Sequence, residues 1–273
     1  MNEPGKSRVG AEDREDVHEH MRLKAPVVYE VVRQGGVEEL ARPLRSLAWS
    51  GFAAGLAIST SVYAEAFLHA HLPDTQWRAL VENFGYCTGF LIVILGRMQL
   101  FTENTITVVL PLLADWSRRT LLSVGRLWTV VLVANMAGTL VSALLVMYVG
   151  IIGDQYLAAS LEVSRHFADK SPLEILQLGI PAGFLVAALV WVMPSAKGSE
   201  FWLVMTLTYV IAIGDLAHVI AGSTEIFLLV LAGELPALGA VWQFLLPAFA
   251  GNVIGGTGLF ALIAYAQVRQ ELE

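Results

Sequence analysis

Six long hydrophobic runs, separated by short polar stretches, dominate the chain after its first 46 residues. They lie near Leu47–Ala70, Phe84–Leu113, Val124–Ile152, Leu173–Pro194, Phe201–Ala232 and Gln243–Ala266. A hydrocarbon layer about 30 Å thick takes about 20 apolar residues as helix, so each run predicts a membrane crossing. Ahead of them, Val27, Val28, Val31, Val32, Val37 and Leu40 mix with Glu30, Arg33, Gln34, Glu38 and Glu39. That mixture predicts one or two short amphipathic helices at the membrane surface, interrupted at Gly35-Gly36, in a juxtamembrane segment spanning 25–46. Residues 1–24 are charged and turn-prone. They predict a disordered cytoplasmic tail and lack the apolar stretch of a signal peptide. The six-span domain occupies 47–268.

The second and fifth runs are too long and too polar for plain crossings. The second contains Gly96-Arg97-Met98-Gln99-Leu100-Phe101-Thr102-Glu103-Asn104-Thr105, and the fifth contains Gly214-Asp215-Leu216-Ala217-His218-Val219-Ile220-Ala221-Gly222-Ser223-Thr224-Glu225. Each predicts half-helix, polar break, half-helix. Backbone inside a bilayer must be hydrogen-bonded, so such a break survives only against protein or a wet cavity. The breaks correspond: Gly96-Arg97 precedes Gly214-Asp215 by 118 residues, and Asn135-Met136-Ala137-Gly138 precedes Asn252-Val253-Ile254-Gly255 by 117. Three spans on each side of the midpoint invert the second half. The predicted fold is an all-α polytopic membrane protein, six helices with broken second and fifth members, arranged as an inverted repeat around a solute path.

Composition agrees with a lipid environment. Hydrophobic residues make up 56% of the chain and charged residues 15%, against about 45–50% and about 25% in soluble domains. Mean hydropathy is +0.62. Eight basic and nine acidic residues fall within 1–46, leaving the body still poorer in charge. A net charge of −7 gives no support for nucleic-acid binding. The single cysteine, Cys87, excludes an intramolecular disulfide and a multi-cysteine metal site, and nothing predicts a metal or a cofactor. Basic residues concentrate on one side: the N-terminal tail with Arg118, Arg119, Arg126, Lys197 and Arg269, against Arg78, Arg165 and Lys170 on the other. Both termini are therefore expected in the cytoplasm.

The candidate chemistry sits at the breaks. His218 is the one histidine inside a span; it either faces the path as a hydrogen-bond or proton donor, or holds the broken helix together as a buried neutral ring. Arg97, Glu103, Asp215 and Glu225 are ionisable groups at comparable depth. Either Arg97 supplies the field of an anion path, or these groups form structural pairs, such as Arg97 with Asp215 or Glu103. Thr102, Asn104, Ser223 and Thr224 are expected to cap the half-helices while lining the path. Half-helix N-termini facing the middle favour an anion. Gly51, Gly55, Gly138, Gly251, Gly255, Gly256 and Gly258 predict close helix packing, and Phe101 is a candidate constriction.

Leu100-Phe101-Thr102 in the first break, the lone His218 in the second, and Gly251-Asn252-Val253-Ile254-Gly255-Gly256 in the last span together resemble the formate/nitrite transporter family over about residues 40–268. The resemblance implies an aquaporin-like fold, a homopentamer in the inner membrane with one pore per protomer, and small monovalent weak-acid anions as solutes. It implies a central histidine at His218, contacted by Thr102, between hydrophobic constrictions that include Leu100 and Phe101. An anion would be protonated near that histidine, because a bare anion is costly at an apolar constriction. The chain departs from the family pattern. Arg97 and Gln99 stand where a glycine and an acid are usual. Ala217-His218-Val219-Ile220-Ala221-Gly222 replaces Glu-His-Ser-Ile-Ala-Asn, Gly183 occupies the place of a span-four asparagine, and Lys170 lies close to, but short of, the position of a vestibule base. Alternatives are a neutral-solute channel of aquaporin type, although neither break carries Asn-Pro-Ala, and a non-transporting scaffold plugged by Arg97. An intramembrane enzyme built on Ser223 and His218 is disfavoured, because residues five apart on one segment are poorly placed as nucleophile and base; no catalytic residue is expected.

Overall fold

The computed structural model describes residues 23–271, so residues 1–22 of the expected tail lie outside it. All regular structure among these residues is helical. Helix α1 (Ala25–Ala41) carries Pro26 in its first turn and buries Val28, Tyr29, Val32 and Gly36 along one stripe. It is one continuous helix, not broken at Gly35-Gly36. The glycine pair has a packing role: a Cβ on Gly36 would lie 2.0 Å from the Thr107 carbonyl oxygen, so only glycine lets α1 cross the chain there. Arg126 Nη2 donates to Leu40 O at 2.7 Å and fastens the end of this helix to the bundle.

Five helices are long and apolar enough to cross a membrane: α2 (Leu44–His71), α3 (Arg78–Leu95), α5 (Arg118–Val149), α7 (Pro172–Ser195) and α10 (Ala237–Glu271). Three shorter apolar helices complete the set: α4 (Asn104–Ala114), α8 (Glu200–Ile213) and α9 (Val219–Leu231). The expected second run is α3, a break and α4; the expected fifth is α8, a break and α9. Neither α8 nor α9 spans a bilayer alone, since 14 residues at about 1.5 Å each cover about 21 Å. The outer surface exposes Val133, Leu259 and Ile263, as a lipid-facing bundle requires.

Between α5 and α7 lies a helix that the hydrophobic pattern did not predict, α6 (Asp154–Ala168). Its buried positions include Ala159, Ser160 and Ser164. The two serines satisfy their hydroxyls on carbonyls four residues back, at 2.8 and 2.6 Å. Phe167 is buried as well, and Leu157 and Leu161 pack against the core, so α6 carries a short apolar stripe on a segment too polar to read as a crossing.

Glycine contacts bring the crossings together in two matching pairs. In the first half α2 meets α5: Cβ atoms on Gly55 and Gly138 would lie 2.2 and 2.3 Å from the Asn135 and Phe52 carbonyl oxygens. In the second, α7 meets α10: Gly251 and Gly255 approach the Leu176 and Ile180 carbonyls in the same way. Gly258 departs from the expectation and faces open space. Gly183 has a steric cause, because a Cβ there would sit 2.2 Å from Asn252 O. The place where the family carries asparagine has no room for a side chain in this chain.

Candidate site at the two helix breaks

The breaks are built alike. Helix α3 ends as Gly96 N–H donates to Ile92 O at 2.9 Å and Met98 N–H reaches back to Val93 O at 2.9 Å. Helix α8 ends as Gly214 N–H donates to Val210 O at 3.0 Å and Leu216 N–H reaches back to Ile211 O at 3.0 Å. This closure needs a left-handed residue in between. Arg97 (φ 52°) and Asp215 (φ 53°) supply it, and they are the only non-glycine residues with positive φ among those described. Such a conformation costs on the order of 1–2 kcal/mol per residue, so tertiary packing must hold it.

Two asparagines do that. Asn135 Nδ2 donates to Gly51 O and Gln99 O, each at 2.8 Å, while its Oδ1 accepts from Phe101 N–H at 2.9 Å. Asn252 Nδ2 donates to Gly179 O at 2.9 Å and Ala217 O at 2.8 Å, while its Oδ1 accepts from Val219 N–H at 2.9 Å. Both side chains are fully buried. Each satisfies break backbone that has no helical partner, which is the condition for irregular chain at membrane depth.

Thr102 and His218 meet where the breaks face each other. Thr102 Oγ1 lies 2.7 Å from His218 Nε2, and both residues are fully buried. His218 Nδ1 accepts from Ala221 N–H at 3.1 Å, so the imidazole itself caps α9. An N–H can only donate; Nδ1 is therefore the unprotonated nitrogen, and Nε2–H donates to Thr102. The ring is held neutral in one tautomer. Phe90 packs edge-on against it at 4.9 Å between centroids. Nearby, Phe101 stacks on Phe249 at 5.3 Å, and Leu100 is fully buried.

The remaining expected residues sort differently. Ser223 and Thr224 lie inside α9 and cap nothing. Ser223 Oγ meets Thr139 Oγ1 at 2.8 Å and Thr224 Oγ1 meets Ser59 Oγ at 3.0 Å, tying α9 to α5 and α2. Asn104 donates to Gln99 Oε1 and Leu100 O, both at 3.1 Å, inside its own break, and Thr102 serves His218, so neither supplies a side-chain cap to α4. The expected pairing of Arg97 with Asp215 or Glu103 does not form. Arg97 is exposed and makes no ion pair among the described residues. Asp215 binds Lys170 Nζ at 2.5 Å and His166 Nε2 at 2.8 Å. The cause is the inversion itself: equivalent left-handed positions face opposite ends of the bundle.

Each position opens on a cavity. One, of about 310 Å³, lies beside Asp215 and carries Glu65, Glu82, Glu162 and Glu225. The other, of about 410 Å³, lies beside Arg97 and carries Glu38, Glu39, Arg42 and Glu103. Lys170, bound to Asp215 of the first cavity, lies two residues before α7, whereas Leu189 and Met193 near its far end line the second. At about 1.5 Å per residue, the ends of this 24-residue helix lie about 35 Å apart. The cavities thus flank the Thr102–His218 layer from opposite ends. Glu65, Glu82 and His166 are not among the candidate site residues, and Lys170 enters the sequence reading only as a near match to a vestibule base. An acid inside an apolar run is a legible signal for Glu65, and Glu82 joins it through the α2–α3 packing; His166 becomes a neighbour only once α6 folds over the cavity.

The family model described as Formate/nitrite transporter matches residues 26–266. The chain is 38% identical over 252 residues to "Inner membrane protein YfdC" of Escherichia coli (strain K12), covering 91% of this chain and 80% of that protein. It is 25% identical over 250 residues to "Formate channel BtFdhC" of Bacillus thuringiensis, covering 89% and 95%. Among solved structures it resembles a "Pentameric formate channel with formate bound" at a TM-score of 0.69 and 17% identity, covering 87% of this chain and 99% of that one. With the fold, both breaks and the family match in agreement, this chain belongs to the formate/nitrite transporter family.

Proposed function

We propose that the chain carries a small monovalent weak acid of the formate and nitrite type across the inner membrane, through a pore in each protomer of a homopentamer, with both termini in the cytoplasm. The observation that carries this is the buried Thr102–His218 bridge between two cavities at opposite ends of an inverted repeat. The similar proteins, an inner membrane protein, a formate channel and a pentameric formate channel, support it.

The mechanism follows from desolvation. The solute must pass fully buried Leu100, Phe101 and Phe90, where an unpaired anion costs several kcal/mol or more. The neutral acid avoids most of that cost. Protonation therefore precedes the His218 layer, and Thr102 and His218 offer the neutral acid one polar step in an apolar passage. Arg97, exposed at its cavity, places a cation where an anion arrives.

Purified protein in proteoliposomes tests this. Formate, nitrite and lactate are supplied at pH 5.5 and 7.5, with glycerol as the neutral control. Uptake of a weak acid above empty-liposome background, faster at pH 5.5, is expected. Glycerol flux without weak-acid flux would replace the proposal with a neutral-solute channel.

A further inference from the structure

The cavity beside Asp215 is lined by five carboxyl side chains, Glu65, Glu82, Glu162, Asp215 and Glu225. Its strong cations are already engaged. Lys170 is bound to Asp215 at 2.5 Å, and Arg78 lies 3.6 Å from Glu82. His69 lies between Glu82 at 2.8 Å and Glu162 at 3.3 Å, and His166 holds Asp215. Glu65 and Glu225 make no ion pair among the described residues. Such a mouth opposes a bare anion, which is at odds with a family that handles anions.

A second observation points to what this wall does. Among the described residues, three buried side-chain polar atoms have no hydrogen-bond partner: Tyr29 Oη, Glu103 Oε1 and Glu225 Oε2. Glu225 is 2% exposed. The two carboxyls are not scattered. Glu225 lines the cavity beside Asp215, and Glu103 lines the one beside Arg97. Each vestibule thus has one carboxyl with a buried, unpartnered oxygen, on buried Glu225 and on half-buried Glu103, and a buried polar atom left unpaired calls for a specific reason. Meanwhile His218 cannot deliver a proton without losing its cap, because its Nδ1 faces the Ala221 N–H. The central ring is a fixed donor, and the proton must come from elsewhere.

We propose that Glu225 is the carboxyl that hands a proton to the solute, and that Glu103 is its counterpart in the opposite vestibule; this rests on the weak-acid function proposed above. In the step, the Glu225 O–H bond breaks and its electron pair stays on the carboxylate. A new O–H bond forms on the solute anion, and the neutral acid crosses the His218 layer. There it gives its proton to the Glu103 carboxylate and leaves as the anion. Glu225 regains a proton from vestibule water, and Glu103 releases one to water on its side. One proton crosses with each anion. The groups facing Glu225 suit this: Glu65 and His69 of α2, Glu82 and Tyr86 of α3, Glu162 and His166 of α6, and Asp215 with its Lys170 partner. Around Glu103 stand Glu38, Glu39 with its partner Arg42, and Arg97.

The test uses pentamers in proteoliposomes with radiolabelled formate outside and a trapped pH dye inside. Wild type should carry one proton per formate. Glu225→Gln should lower uptake about a hundredfold at pH 7, the low end of what a placed proton donor contributes, and flatten the rise on acidification. Glu225→Asp should recover part of both. Glu103→Gln should act likewise. A Glu225→Gln protein with wild-type uptake and pH profile overturns the proposal and leaves the weak-acid function standing. A hydrophobic carbodiimide, which attacks protonated buried carboxyls, gives a variant-independent readout on the wild-type pentamer. Labelling of Glu225 found by mass spectrometry, together with loss of uptake, supports the proposal. No labelling of Glu225 at pH 6 overturns it, whether or not formate moves.

Discussion

Removing the Asn252 side chain should be among the most damaging single changes in the protein. Asn252→Ala deletes three buried hydrogen bonds, of 2.8, 2.9 and 2.9 Å. Two of the freed groups, Ala217 C=O and Val219 N–H, lie at the break and have no other partner. An orphaned buried polar group costs about 1–3 kcal/mol, so two predict a loss of about 2–6 kcal/mol. Asn252→Asp should be no milder, since it keeps the acceptor for Val219 but turns oxygen toward two carbonyls. Thr206→Ala is the control; its exposed hydroxyl bonds only Trp202 O on its own helix, at 2.7 Å, and should change stability by less than about 0.5 kcal/mol. Unfolding by SDS in mixed micelles, followed by tryptophan fluorescence, measures the loss. Hydrogen exchange at the Val219 amide locates it. An Asn252→Ala protein within about 0.5 kcal/mol of wild type, with Val219 still protected, would refute this account of how the break is held.

Other outcomes follow from the same geometry. Thr102→Val removes the oxygen that accepts from His218 Nε2–H at 2.7 Å and should cost about 1–3 kcal/mol; an unchanged SDS midpoint would show that the bridge contributes nothing. Gly183→Asn, which restores the residue usual in the family, should destabilise α7 on α10 because its Cβ would lie 2.2 Å from Asn252 O; a pentamer as stable as wild type would contradict the packing. At the surface, Arg33 bonds Glu30 and holds its carboxyl at about 2, below the ordinary 4.5. A depressed folded value means the pair's stabilisation is complete above pH 4.5 and is lost as pH falls through 2. Glu30→Gln should flatten that acid limb by no more than about 1 kcal/mol for so exposed a pair, and superimposable limbs would dismiss it.

How far the sequence carried the fold depends on what each residue had to reveal. Polar residues inside apolar runs announced the breaks, and the 117-residue echo of Asn135 in Asn252 announced the inversion, because both are violations of a strong rule about lipid. Partnerships were less legible. Ser223 and Thr224 match the composition of a helix cap, yet they bind across to Thr139 and Ser59 while His218, a weaker capping type, takes the position. Arg97 and Asp215 are near-neighbours in pattern and opposite ends in space, so their charges suggested a pair that inversion forbids. Helix α6 is amphipathic but too polar to stand out among six membrane runs, and with it went the ion pairs of Asp215 to His166 and Lys170. Gly183 departs from the family pattern in the sequence, and only the structure shows why: it is a packing position set by the Asn252 backbone.

In the proposed function, a weak acid crosses each protomer through the Thr102–His218 layer. The most direct measurement is formate uptake into matched proteoliposomes of wild type and His218→Phe, after native mass spectrometry has shown equal assembly. Uptake by wild type above empty liposomes, at least about tenfold slower in His218→Phe as a lost polar contact of about 1–3 kcal/mol requires, is the predicted result. Equal uptake by the two proteins would contradict it.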